Sequence, residues 1–200
     1  MAAMRARTGR KVAAVLAGGL VLGVGAAVTM AAWTDSQYAT ATFTSGTFAL
    51  ESSVDGNNWK NHTVNTPALI SMGTSAMSPG TSGFGYLDVR TTKASTLGGK
   101  AVLLPATASA ESDTGMIAAL EMRAKVIGAG QICNDSALAG VPYQAATAEP
   151  NASGDLKLAT GTAGIPVRFC LEVRMKTAGV PNSVQGKTAV LVWTVNGTSS

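Results

Sequence analysis

The side chains that could do redox or metal chemistry in this chain are two cysteines, Cys133 and Cys170, and one histidine, His62. A tetrahedral zinc site needs four ligands. Two thiols without Cys-x-x-Cys spacing and one imidazole do not supply them without distant carboxylates. In an oxidising compartment, two thiols in one chain usually form a disulfide. The sequence therefore predicts a Cys133–Cys170 disulfide and no metal site.

Motifs for hydrolysis and nucleotide binding are incomplete. The sequence contains no HExxH, and a catalytic triad built on His62 would need a serine and an aspartate brought in by the fold. Residues 185–188, Gln-Gly-Lys-Thr, are similar to the end of a P-loop, but Pro181 stands where the first glycine is required. We interpret His62 as an exposed residue beside the asparagine-rich turn 57–61. These observations favour a protein without catalytic residues and without a bound cofactor.

A basic and then apolar leader precedes the polar part of the chain. An uncharged run over residues 12–33 follows four basic residues, which are Arg5, Arg7, Arg10 and Lys11. This layout is typical of a secretory signal peptide, here over residues 1–31, with small residues before the cut. The run is also long enough to span a bilayer, so an uncleaved membrane anchor is the alternative.

Charge is balanced outside this leader. The chain has 15 Lys and Arg, four of which lie in the leader, and all 11 Asp and Glu follow it. The formal net charge of +4 therefore belongs to the leader. Because no basic stripe with interleaved aromatic residues follows, the sequence predicts no nucleic-acid partner.

The segment from Val167 to Lys176 alternates between apolar and polar residues, which predicts a half-buried strand with one wet face. Cys170 lies on the polar side of this pattern. Its disulfide partner is therefore expected from a loop that covers the sheet, and the polar loop around Cys133 fits that role.

Shorter segments predict further strands. Residues 120–127 alternate as well, although their composition also allows a helix that starts near Asp113, and we favour the strand. Other strand candidates, separated by turn-rich pieces, are residues 84–91, 101–104 and 187–195. Many short strands with such turns are typical of an antiparallel two-sheet β-sandwich, here one domain over residues 32–200.

Two stretches after the leader carry a family resemblance. They are Ala32-Trp33-Thr34-Asp35 and Ala41-Thr42-Phe43-Thr44-Ser45-Gly46-Thr47-Phe48-Ala49-Leu50. An apolar leader, an aromatic-polar-Asp start and a T-F-x-x-G-T-hydrophobic strand together resemble the mature start of the TasA and camelysin family of exported proteins. Ala49 departs from the family pattern, which often has Asp or Asn at that position.

The resemblance implies that a dedicated signal peptidase of the SipW type cuts between Ala31 and Ala32. It also implies a jelly-roll-like β-sandwich and, as in TasA-like members, a subunit of extracellular fibres in the biofilm matrix. In such fibres the N-terminal strand of one subunit completes a sheet of the next. Camelysin has been described as a metalloprotease, so an exported metalloprotease is one alternative. A surface module that binds a polysaccharide or a protein is another.

Residues 32–50 are expected to contain the assembly strand, whose motif residues are Trp33, Asp35, Phe43, Gly46 and Phe48. Its main-chain N–H and C=O groups are a template for pairing with another chain once the leader is removed. Alternatively, residues 42–50 form the first strand of their own sheet, and both hold if only residues 32–41 are exchanged. We therefore expect a secreted, extracellular structural protein that self-associates, with membrane contact only through an uncleaved leader.

Overall fold

The structure, a computed structural model, describes residues 11–16, 37, 39–73 and 76–200. The expected cleavage site at Ala31 and Ala32, and the motif residues Trp33 and Asp35, lie outside the described residues. Residues 11–16 are helical, and no helix in the described part of the chain combines the length and apolarity needed to cross a bilayer.

The chain divides into two compact units, Met1–Thr44 and Ser45–Ser200, and the strands belong to the second. They are β1 (Leu50–Ser53), β2 (Ser82–Thr91), β3 (Gly99–Leu103), β4 (Thr107–Ala108), β5 (Leu120–Gly128), β6 (Gln144–Ala145), β7 (Ser153–Ala159), β8 (Thr162–Ile165), β9 (Val167–Met175), β10 (Leu191–Val192) and β11 (Val195–Ser199). A short α-helix spans Thr114–Ala119, and a 3₁₀ turn spans Asn182–Val184.

Two larger sheets enclose one core. The five-stranded sheet has the order β1-β2-β9-β5-β6, the four-stranded sheet has the order β11-β3-β7-β8, and β10 pairs with β4. The ladders are antiparallel. The core takes side chains from both larger sheets, among them Val89, Met122, Phe169, Leu103 and Leu156. The domain is all-β, as predicted, and is consistent with a β-sandwich.

The alternating segment that begins at Val167 is the central strand β9 of the five-stranded sheet. Its apolar residues point into the core, where Phe169 and Leu171 are fully buried. Strands β2 and β5 flank β9 along most of its length. The prediction of a strand here is confirmed.

The segment after Asp113 contains both structures that its sequence allowed. Asp113 caps a helix of a turn and a half, because its carboxylate accepts a hydrogen bond from Met116 N at 2.8 Å. The chain leaves the helix at Leu120 and continues directly as β5. The strand prediction for residues 120–127 is confirmed, and the short helix comes before it rather than in its place.

The strand predicted over residues 187–195 is not continuous. Residues 191–192 form β10, which pairs with β4. The chain from Val195 onward forms β11, which pairs with β3. The apolar residues of segment 187–195 still pack against the core, as predicted, and they are Ala189, Leu191, Trp193 and Val195. Alternation correctly indicated the buried face, but it does not report a change of ladder partner.

The segment before β1 is held without forming a ladder. Of residues 39–50, only Leu50 lies in a strand. The carbonyl of Ala49 accepts from Thr92 N at 2.9 Å, and the carbonyl of Thr47 accepts from Thr96 N at 2.9 Å. The alternative in which residues 42–50 form the first strand therefore holds only at Leu50, where the short strand β1 begins.

Candidate functional site

An open slot lies between β1 and the segment that leads into β11. It contains a cavity of about 590 Å³. One wall is formed by β1 and residues 60–72, which we call the strap, and the other wall by residues 189–195. The floor is the core itself, reached at Val89 and Leu171. The slot therefore opens the apolar interior between the edges of two sheets.

The wall that leads into β11 presents a strand edge. The carbonyl of Val190 accepts from Ser109 N at 3.0 Å, and the carbonyl of Thr194 accepts from Leu104 N at 2.8 Å, so the even-numbered residues bond toward β4 and β3. Backbone groups alternate in direction along a strand, so the odd-numbered residues 189–199 direct theirs to the other side. Within the described part of the chain, these odd-numbered residues have no backbone hydrogen bond on that side.

Trp193 places an unsatisfied donor in the same wall. Its indole Nε1 is buried and has no hydrogen-bond partner among the described residues, and Trp193 lines the cavity. A buried polar group left without a partner costs about 1–3 kcal/mol. Nε1 itself is shielded from the open slot, so an acceptor reaches it only if this wall moves.

The strap is pinned to the outer edge of β1 at its first residues. Ser52 N donates to Lys60 O at 2.9 Å, and Lys60 N donates to Ser52 O at 3.0 Å. Ser52 Oγ lies 2.9 Å from His62 Nδ1. His62 is thus half-buried. Its sequence context predicted an exposed residue, and that prediction is wrong. Ser52 is its hydrogen-bond partner among the described residues, and no carboxylate completes a triad there.

Apolar side chains are exposed around the slot. Val64 and Leu69 are each 85% exposed and Val190 is 45% exposed, and all three line the cavity. Adjoining exposed apolar groups mark interaction surfaces on soluble domains. Sequence reasoning missed the strap, because residues 60–72 have neither a strand pattern nor a catalytic motif.

The described motif residues of the N-terminal segment have different surroundings. Phe43 is 92% exposed. A Cβ added to Gly46 would lie 2.6 Å from Leu97 Cγ, so only glycine fits against that side chain without a shift. Phe48 packs as closely on Gly99 and Gly197, because its ring carbons are 3.0 and 3.1 Å from where their Cβ atoms would be. Gly46 and Phe48 are therefore part of the packing of their own domain.

The outer face of the five-stranded sheet carries four ion pairs between β-strands. Each pair joins residues directly opposite each other in the ladder, at 2.6–2.7 Å, and the pairs are Glu51 with Arg90, Asp88 with Arg168, Glu172 with Arg123, and Glu121 with Arg174. Aromatic rings lie against the same guanidinium groups. Tyr86 lies 3.7 Å from Arg168, and Trp59 lies 3.8 Å from Arg90. Cation–π contacts of this kind add to the ion pairs.

Residues 129–143, which we call the cap, cover the middle of this outer face. A disulfide joins Cys133 of the cap to Cys170 of β9, with Cα atoms 5.3 Å apart, and this confirms the predicted pairing. The wet face predicted for β9 is wrong at Arg168, Cys170 and Glu172, which are buried. The reason is the cap, which lies over the sheet and excludes water from these residues.

The cap also supplies hydrogen-bond acceptors to the buried arginines. Arg168 Nη1 donates to Gln131 O at 2.7 Å, and Arg123 Nη1 donates to Leu138 O at 3.1 Å. Arg123 also pairs with Asp135 of the cap. Each guanidinium thus has both a carboxylate on the neighbouring strand and a carbonyl on the cap, which offsets the cost of burying its charge.

Burial and hydrogen bonding shift the pKa values of Tyr143 in the cap and of Arg168 beneath the cap. Burial raises the pKa of Tyr143 above its ordinary value of 10.0, and the hydrogen bond from its hydroxyl to Glu172 Oε1, at 2.9 Å, raises it further. The hydrogen bonds that Arg168 donates to Asp88 raise the pKa of that guanidinium. Both shifts favour the protonated form, in which each group donates its hydrogen bonds to a carboxylate.

No family model and no curated protein matches this chain. In the described part of the chain, no group of three or more His, Cys, Asp and Glu residues is placed to hold a metal ion.

Proposed function

We propose that this protein is a secreted structural protein without enzymatic activity, a subunit of extracellular fibres of the biofilm-matrix kind. Its subunits join by strand exchange after a SipW-type signal peptidase removes residues 1–31. The observation that carries the proposal is the unpaired strand edge of residues 189–199 beside an open slot of about 590 Å³. An edge with free N–H and C=O groups next to exposed core binds an extended segment of another chain by completing the sheet.

The incoming segment is the N-terminal part of a neighbouring subunit. Residues 46–50 are bonded and packed into their own domain, so the exchanged part lies before them, at 32–41. This segment is long enough to pair with residues 189–195, the part of the edge that borders the cavity. Threonine and aromatic residues are frequent in it, and both favour strands.

Cleavage of the leader acts as the switch for assembly. While residues 1–31 are attached, the segment is held at the membrane during export and cannot enter a neighbour's slot. Removal of the leader frees an amino end at Ala32. When the wall repacks around the incoming strand, Trp193 Nε1, which has no partner among the described residues, is able to donate to one of the strand's carbonyls.

The test compares two purified forms of the protein. Protein that begins at Ala32 is expected to polymerise, whereas protein that begins at Ser45 keeps the folded domain and stays monomeric. Size-exclusion chromatography with light scattering and electron microscopy report the outcome. If protein that begins at Ala32 stays monomeric under the conditions of secretion, the proposal is wrong. Mass spectrometry of secreted protein checks separately that cleavage occurs after Ala31.

A matched pair of proline variants tests where the strand binds. The N–H of Val195 and the N–H of Ser199 both lie on the outer side of β11, and only Val195 borders the cavity. Val195→Pro removes a donor inside the slot and is expected to stop polymerisation. Ser199→Pro removes an equivalent donor outside the slot and is expected to leave polymerisation intact. Equal effects of the two variants would contradict binding at this place.

A further inference from the structure

We infer that residues 67–72 of the strap are a second pairing edge of the slot and become a β-strand when the slot is filled. The incoming segment is then held between two strand edges, residues 189–195 on one side and residues 67–72 on the other. This inference rests on the proposed function, because it takes the N-terminal segment of a second copy as the occupant.

The side chains of this part of the strap already alternate like those of a strand. Ala68, Ile70 and Met72 are half-buried, whereas Leu69 and Ser71 are exposed. A two-residue period of burial is the pattern of an extended chain with one face on a core. The side chains of residues 68–72 therefore show the alternating burial of a strand, although these residues belong to no ladder in the structure.

A glycine in β2 fixes the position of the strap on the core. A Cβ on Gly85 would collide with Ile70 Cγ2 and would lie 2.9 Å from Met72 Sδ and 3.2 Å from Ser71 O. No larger residue fits at this position without moving the strap. The strap is thus seated directly on the core face of the five-stranded sheet, at the side of the slot.

The backbone of the strap has unused hydrogen-bonding capacity. Among the described residues, no hydrogen bond is made by the N–H or C=O groups of residues 67–73. Half-buried chain normally pairs these groups, because leaving them without partners is costly. The two walls of the slot thus share one property, which is a run of unpaired backbone groups beside exposed apolar side chains.

A segment from a second copy fits between these walls. The described residues of the exchanged segment, 37 and 39–41, are exposed and are not part of a ladder. The sequence of the exchanged segment, residues 32–41, contains threonine and aromatic residues that favour strands, and they are Trp33, Thr34, Tyr38 and Thr40. A strand that pairs on both sides forms about twice the number of backbone hydrogen bonds of a strand that pairs on one.

Hydrogen exchange on a monomeric acceptor tests the inference. Protein that begins at Ser45 is mixed with a synthetic peptide of residues 32–44, and amide exchange is measured by mass spectrometry. The expected result is slower exchange in both residues 67–72 and residues 189–195. Slower exchange in residues 189–195 alone would overturn the inference and leave the proposed function standing. Slower exchange in neither region would overturn both.

Strap variants provide the second measurement. Ile70→Ser with Met72→Ser removes the apolar groups that seat the strap, and the peptide is expected to bind about tenfold more weakly, which corresponds to about 1.4 kcal/mol. Leu69→Ser is the matched control, because it changes the same segment at an exposed side chain. Circular dichroism and thermal unfolding confirm that the variants fold. Unchanged peptide affinity in the folded double variant would contradict a pairing role for the strap.

Discussion

Two arginines are buried in this domain together with two carboxylates, and the surroundings of Arg168 explain how its charge is tolerated. Its guanidinium donates two hydrogen bonds to Asp88, each 2.7 Å long, and a third to Gln131 O. Tyr86 lies against its face. A planar guanidinium can make all of these contacts together, which a lysine ammonium cannot.

Asp88→Asn tests the buried pair. The substitution leaves the Arg168 charge buried without a carboxylate, so the free energy of unfolding is expected to fall by about 3–5 kcal/mol. Urea unfolding followed by fluorescence measures this. Glu51→Gln is the control, because the Glu51–Arg90 pair is more exposed. The free energy of unfolding of this variant is expected to fall by less than about 1 kcal/mol. Similar losses in the two variants would mean that burial does not set the strength of these pairs.

Trp193→Phe separates packing from hydrogen bonding in the slot. Phenylalanine keeps an aromatic ring and removes the buried N–H that has no partner, so the stability of the monomer is expected to stay within about 1 kcal/mol. Polymerisation is expected to slow, because the incoming carbonyl loses its donor. Thermal unfolding of protein that begins at Ser45, and light scattering of protein that begins at Ala32, measure the two effects. Normal polymerisation by the variant would exclude a role for Nε1.

At the scale of elements, the cap links a loop to the middle of a sheet by covalent and ionic contacts. Its disulfide closes a loop of 37 residues between the cap and β9. Its carbonyls and Asp135 bind arginines that the strands alone would leave partly unpaired. The cap therefore converts a polar sheet face into a second buried layer.

Loss of the disulfide is expected to destabilise the folded domain by about 4 kcal/mol in the chain-entropy model. The variant Cys133→Ser with Cys170→Ser is compared with the oxidised parent by thermal unfolding, and it is expected to melt at a lower temperature. Hydrogen exchange should increase most in the cap. A thiol assay on the native secreted protein is expected to detect no free cysteine.

Tyr143 makes the free energy of unfolding of the domain fall as the pH rises in the alkaline range. Its pKa is raised in the folded state, mainly by burial, so the folded protein favours the neutral phenol. The resulting stabilisation is fully present below the unfolded pKa of about 10 and is lost as the pH rises through the higher folded value. Tyr143→Phe is expected to flatten the decline of unfolding free energy above about pH 10. Parallel declines in the variant and the parent would contradict this.

At the scale of the whole molecule, side-chain periodicity predicted the layers better than the connections. The strands β5 and β9 were predicted because each has two faces of different polarity over several residues, and β2 and β3 were predicted as shorter strand candidates between turn-rich pieces. The hairpin β7–β8 was missed, although Asp155 to Leu158 alternate and Gly161, with φ of 72°, provides the turn. The cap and the strap were not predicted as covers, because no local pattern encodes which distant surface a loop will lie on.

The disulfide and the open slot differ in how far sequence could indicate them. The chain has two cysteines, which allow one intramolecular pairing, so the bond between Cys133 and Cys170 could be predicted by counting. The slot depends on unpaired groups at 189–199, and an edge strand has the same sequence pattern as a paired one. Only the arrangement of the sheets distinguishes them.

The packing of Phe48 on two glycines has a mechanical consequence. Gly99 belongs to β3 and Gly197 to β11, so the Phe48 ring packs against two strands of the four-stranded sheet. A few residues later the same chain becomes β1 of the five-stranded sheet. A tensile load applied through the residues before Ser45 therefore meets both layers at its point of entry, because it acts on the Phe48 contacts with the four-stranded sheet and on the β1–β2 ladder of the five-stranded sheet.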